Sequence, residues 1–217
     1  MKNSNFDEKG VIDILLGHFK RILKLGQFTQ VINSALEEQY STAITKLDNQ
    51  LKLGINLVSK EKDLRFLQNY ANQNIEGAAD AISANLRQEI QRSILNGDTK
   101  KELITRVKKL FRDKSYKTRL KTIIRTETLR ANNMGTFEGA KQAESTGLVL
   151  MKWLDVTMDN RTSHICKKEH SKYGQVDKAI PLDENFIVKV DNKTYDISYP
   201  PAHPNCRSVL RIVEAKK

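Results

Sequence analysis

At 217 residues the chain is long enough to bury a real core, as one large domain or as a domain with a helical extension. Its 39% hydrophobic and 29% charged residues predict a soluble protein, and no apolar run approaches the roughly 18 residues of a membrane span. A net charge of +11 and a pI of about 9.6 argue for a polyanionic neighbour, most simply nucleic acid.

Residues 1–25 carry Asp7, Glu8 and Asp13 and lack a small-residue cleavage pattern, so no export signal is expected. Two cysteines are too few for a disulfide framework in a chain of this size. Each lies near histidine, which favours a reducing compartment and metal use. The chemistry concentrates late in the chain. Residues 159–170 and 199–207 hold both cysteines, three of the four histidines and three of the four prolines.

In chain order, Asn5 or Asp7 caps a predicted helix that runs to about Leu25, ended by Gly26. A second spans about Thr29 to Leu53, with Val31, Ile32, Ala35, Leu36, Tyr40, Ile44 and Leu47 on one stripe. This amphipathic pair, residues 1–60, reads as a helical hairpin. It either packs on the rest of the chain or serves as a docking arm for another protein. A third helix is predicted from about Glu61 to Asn96, with Gly77 as a weak point, and Asn96-Gly97-Asp98 is a turn. Thr99 and Glu102 then make a capping box for a helix to about Arg112. A helix capped by Ser115 runs toward Ser145 and stops at Gly147. Residues 61–147 are thus a body of long helices.

In that last helix Leu120, Ile123, Ile124, Ala131 and Met134 share a face with Glu127 in their midst. A carboxylate in an apolar seam needs a specific partner, and Arg130 or Arg207 is placed to be one. The two readings are a structural ion pair and a catalytic carboxylate. Between Asn96 and Ala131 the basic residues are Lys100, Lys101, Arg106, Lys108, Lys109, Arg112, Lys114, Lys117, Arg119, Lys121, Arg125 and Arg130, against Asp98, Glu102, Asp113 and Glu127. That surplus suits phosphates. With only Phe111 and Tyr116 for stacking, the expected contact is non-specific, with double-stranded DNA, through Lys100 to Lys121; a solvated basic face is the alternative.

After Gly147 the period changes to that of strands. Residues 148–156 read as one strand, 186–190 and 193–197 as a hairpin about Asp191-Asn192, and 208–213 as a last strand. Residues 148–217 therefore form a small, mostly antiparallel β unit with two long loops, and Trp153 is its expected core anchor. The fold class is α+β. Cys166, His170, His203 and Cys206 offer sulfur and nitrogen at Cys-x3-His and His-x2-Cys spacing, with His164 as an alternative ligand. Four such ligands suit a closed tetrahedral zinc site stapling loop to loop; the alternative is that prolines, ion pairs and an ordinary core hold the loops.

Arg125-Thr-Glu-Thr128 in a long helix, Lys152-Trp153, Asp159 with Arg161 and Thr162, and the run from Pro200 to Arg207 form an ordered series. In that order they resemble the tailed-phage minor head proteins of the Mu F-like, SPP1-type head morphogenesis family, over about residues 60 to 213. The resemblance implies a structural protein in few copies inside the procapsid at the portal vertex, assisting assembly and genome packaging or delivery. It implies the portal protein as partner, with scaffolding or capsid protein a further candidate, no membrane, and a place in the virion after assembly in the host cytoplasm. Many members read Cys-x2-Cys where this chain has Ser163 and Cys166, and Cys-Arg-Cys where it has Cys206, Arg207 and Ser208. A structural zinc here therefore depends on His170 or His164. Some relatives carry a toxin or transferase domain after this module; none is expected in a sequence ending at Lys217.

Carried over by motif, Arg125, Glu127, Asp159, Arg161 and Arg207 are expected to form one polar cluster tying the long helix to the two loops, since arginine's planar fork bonds two carboxylate oxygens at once. No catalytic residues are expected. The competing function is a metal-dependent nuclease or an ADP-ribosyltransferase-like enzyme using Arg125 and Glu127. A free-standing DNA-binding module is the third reading.

Overall fold

The computed structural model describes residues 25–54, 57–99, 101, 102, 105–107, 109 and 114–215. The first predicted helix, up to residue 24, lies outside the described residues. The elements are α1 (Leu25–Leu51), α2 (Glu61–Leu95), α3 (Lys114–Glu144), β1 (Leu150–Asp155), α4 (His164–Tyr173), a short 3-10 turn (Val176–Lys178), β2 (Ile180–Pro181), β3 (Phe186–Val190), β4 (Lys193–Ile197) and β5 (Val209–Glu214). Long helices precede a small antiparallel β region, so the fold is α+β. No described helix is long and apolar enough to cross a membrane. The described residues fall into two compact units, 33–71 with 122–215, and 25–32 with the described part of 72–121.

In the first unit the backbones of α1 and α3 come into close contact. Gly135 and Gly139 stand four apart on α3, and a Cβ built on Gly135 would come 2.4 Å from the Tyr40 carbonyl oxygen. Only a residue without Cβ admits that approach. Tyr40 is fully buried and donates a 2.8 Å hydrogen bond to Asp63. Burial and that carboxylate both push its phenol well above the usual range. Leu47 of α1 joins one apolar core with Phe137, Leu150, Leu154, Tyr173, Phe186 and Leu210.

β1 lies between β2 and β5, antiparallel to both, with Leu150 opposite Glu214 and Asp155 opposite Val209. Its buried face is Leu150, Lys152 and Leu154, while Met151, Trp153 and Asp155 are half-buried on the other. Trp153 is therefore not the core anchor; the strand's phase places the neighbouring lysine inside instead. Lys152 is 0% exposed, and its Nζ donates to the carbonyls of Leu182 and Ser198, each at 3.0 Å. The ammonium sits 4.7 Å from the Phe137 ring centre and 5.1 Å from that of Phe186. Desolvation pushes its pKa down to about 8.

β3 and β4 pair only with each other, Phe186 opposite Ile197 and Val190 opposite Lys193, around Asp191 at φ 53°. The expected single sheet is thus two. The cause is local: the Tyr173 hydroxyl accepts from the Ile187 N–H and donates to the Ile187 carbonyl, blocking the outer edge of β3. The first expected loop also contains a helix, α4. Ser163 is its N-cap, accepting from the Cys166 N–H at 3.1 Å.

In the second unit the apolar stripe of α2 is Ile75, Ala78, Ala79, Leu86 and Ile90, all buried. The turn predicted at Asn96-Gly97 has Gly97 at φ 67°. The capping box forms as expected: Glu102 accepts from the Thr99 N–H at 2.7 Å, and Thr99 Oγ1 accepts from the Glu102 N–H at 3.4 Å.

Candidate metal centre

α4 and the segment before β5 bring three ligand atoms within 4.8 Å of one another: Cys166 Sγ, His203 Nε2 and Cys206 Sγ. Each comes from a local motif. Cys166 stands in the first turn of α4, fixed by the Ser163 cap. His203, Pro204, Asn205 and Cys206 form a β-turn closed by a 3.2 Å bond from the Cys206 N–H to the His203 carbonyl. Proline at its second position and asparagine at its third, at φ 60°, meet the demands of such a turn. The turn is pinned to α3 by Thr126 Oγ1, which accepts from the Asn205 N–H at 3.0 Å.

The geometry fits a zinc ion. The two sulfurs are 3.8 Å apart, far beyond a disulfide and equal to the edge of about 3.8 Å between two sulfurs each about 2.3 Å from a tetrahedral zinc. His203 Nδ1 lies 2.7 Å from the Pro204 carbonyl, which can only accept, so Nδ1 carries a proton and Nε2 is the ring nitrogen turned to Cys166. Metal-bound histidine takes this arrangement, with the outer nitrogen tied to a backbone carbonyl. Nε2 meets the Ser163 hydroxyl at 2.8 Å and Cys166 Sγ at 3.0 Å. A tetrahedral sulfur–nitrogen edge is about 3.6 Å, so the imidazole moves out by about half an ångström to admit the ion. The Cys206 thiol and then His203 hold the Cys166 thiol well below its usual range, while Cys206 itself is pushed up by sharing with Cys166 and by burial. His203 is raised, chiefly by Cys166. A thiol held low beside an imidazole held high is an environment that favours the thiolate, the form that binds a metal. Zinc bound there would fasten α4 to the turn before β5.

His170, expected as a ligand, is not brought to this group, and His164 is exposed. On a helix the residues three and four after Cys166 flank it on opposite sides, and the cluster lies on the Glu169 side. His170 Nδ1 instead lies near Gly174, without a hydrogen-bond partner among the described residues. Glu169 is 0% exposed, and desolvation raises its carboxyl to about 7.

The expected polar cluster resolves into separate parts. Asp159 and Arg207 form a forked pair, with bonds of 2.7 and 2.6 Å. Arg207 holds the Asp159 carboxyl well below the usual carboxylate range, and Arg161 stands at 3.5 Å. Glu127 is buried and takes a 2.9 Å bond from Arg130 Nε, one turn along its own helix, and Arg130 lies over the Tyr70 ring at 4.6 Å. Arg125 is exposed. A carboxylate so enclosed is not presented to a substrate. Two residues given no structural role in the sequence analysis hold the surrounding segments in place. Asn133, fully buried on α3, donates to the carbonyls of Pro200 and Ser208 and accepts from the Leu210 N–H, at 3.2, 3.2 and 2.9 Å. An asparagine between Ala131 and Met134 in an apolar stripe was its signal. The other is Lys152.

Of the basic stretch, Lys101, Lys109, Arg119 and Lys121 are exposed. Arg106 is engaged by Asp98 at 2.5 Å. Lys100, Lys108 and Arg112 lie outside the described residues, as do the side chains of Lys114 and Lys117.

The turn that carries His203 and Cys206 is thus pinned to α3, and the forked Asp159–Arg207 pair joins the two loops beside it. The family model described as Phage Mu protein F like protein matches residues 84–211, and the chain belongs to that family. It is a phage head-related protein. No curated protein and no solved structure matches it.

Proposed function

We propose that the protein is a minor head morphogenesis protein, present in few copies inside the procapsid at the portal, that assists head assembly and genome packaging or delivery. The observation that carries this reading is the family match over residues 84–211, which spans the clasped β region and the basic stretch together. The zinc clasp of Cys166, His203 and Cys206 holds the module's loops in one shape for contact with a partner. The exposed lysines and arginines of residues 101–121 meet packaged double-stranded DNA through its phosphates, without base readout.

Co-expression with the cognate portal protein tests the partner: the two are expected to co-purify with the head protein in a small fixed ratio. DNA binding is expected to be independent of sequence and to fall steeply between about 50 and 200 mM salt. Binding only to DNA, with no portal association, would make this a free-standing DNA-binding module and overturn the reading.

A further inference from the structure

Glu169 stands out among the buried polar groups of the β region. It is 0% exposed, and neither carboxylate oxygen has a hydrogen-bond partner among the described residues. Such burial costs several kcal/mol for an isolated ion, so the group is neutralised either by its own proton or by a cation that takes the proton's place. The side chains acting on it are Cys166, His203 and Ser208. Ser208 Oγ turns to Cys166 Sγ at 3.6 Å, and Ser163 is occupied by His203 and by the Cys166 N–H. Ser208 and Cys166 are close enough to polarise the carboxylate but neither makes a hydrogen bond of good geometry to it.

We infer that Glu169 is the fourth ligand of one zinc-class divalent cation, held together with Cys166, His203 and Cys206. The inference rests on the clasp proposed above; the Glu169 carboxylate is not among the ligand atoms that lie within 4.8 Å of one another, so its side chain turns in to close the shell when the ion binds. Cys166 and Glu169 are three residues apart on α4, and His203 and Cys206 three apart across the turn, so each segment contributes one pair on one side. Two thiolates, an imidazole and a carboxylate are ligands zinc accepts together, whereas magnesium and calcium call for oxygen throughout. Four protein ligands leave no open position, so the site is structural.

The test uses the full-length chain freed of metal, titrated with Zn2+ against a chelating dye and with Co2+ followed by visible absorption. The wild type is expected to bind one ion and to show tetrahedral cobalt bands with charge transfer from two thiolates. Glu169→Gln is expected to weaken zinc binding by roughly 100-fold, at or beyond the upper end of what outer-shell changes do. Its metal-free form is expected to melt no lower than the wild type, because an unpaired buried acid has been removed. Glu169→Cys is expected to raise the charge-transfer intensity by about half, as a third sulfur joins two. Wild-type affinity in Glu169→Gln, with unchanged charge transfer in Glu169→Cys, would overturn the role of Glu169 and leave the three-residue clasp standing. A wild type that binds neither metal would overturn both.

Discussion

Two deeply buried ionisable groups share the C-terminal region and are treated in opposite ways. Lys152 has its ammonium fixed on two carbonyls between two aromatic rings, fastening the segments at Leu182 and Ser198 onto β1. Glu169, equally buried, has no hydrogen-bond partner among the described residues. The contrast separates polar groups that finish the fold from one placed for something bound to it, since an interior tolerates polar atoms only when they are satisfied. Asn133 belongs with Lys152, as both its amide hydrogens and its oxygen are engaged.

If that division holds, the satisfied groups are the ones whose loss unfolds the protein without metal. Asn133→Leu is expected to be the most damaging, because it strands the Leu210 N–H and two carbonyls; roughly 4 kcal/mol follows from the cost of unpaired buried groups. A lowered urea midpoint at unchanged slope is the expected readout. Lys152→Met comes next and carries a pH signature. With a folded pKa of about 8 against 10.5 unfolded, the unfolded chain binds the extra proton between those values, so wild-type stability rises with pH across that window. Measured as wild type minus Lys152→Met, which cancels other titrations, the difference should grow by about 3 kcal/mol from pH 7.5 to 10.5. A flat difference would mean that the lysine is solvated. The smallest effect is expected for Gly135→Ala, where the new methyl meets the Tyr40 carbonyl; about 2 kcal/mol is the usual scale of such overpacking, read as a lower melting temperature.

What could be read from the sequence was local. The Thr99–Glu102 box, the Asp191-Asn192 hairpin and the long helices are set by residues within a few positions of one another. Partner choice across the chain was not legible. Glu127 had Arg130 and Arg207 as candidates, and only the fold shows Arg130 beside it and Arg207 on Asp159. The phase of β1 was equally open, since both of its faces carry apolar residues, and tryptophan outweighed lysine on any hydrophobic argument. Ser163 was read as a lost thiol when it is a helix cap, which hid α4 and, with it, the face that turns Glu169 inward and leaves His170 aside. The Cys166, His203 and Cys206 grouping was legible because cysteine and histidine are rare in this chain and clustered.

The clasp is tested most directly by thermal unfolding of the full chain with bound zinc and after its removal by a chelator, alongside Cys206→Ser. Zinc at about 1,000 times its dissociation constant should add about 4 kcal/mol, visible as a melting temperature several degrees higher that chelation reverses and Cys206→Ser does not show. A melting temperature indifferent to zinc in the wild type would contradict a metal fastening at this site.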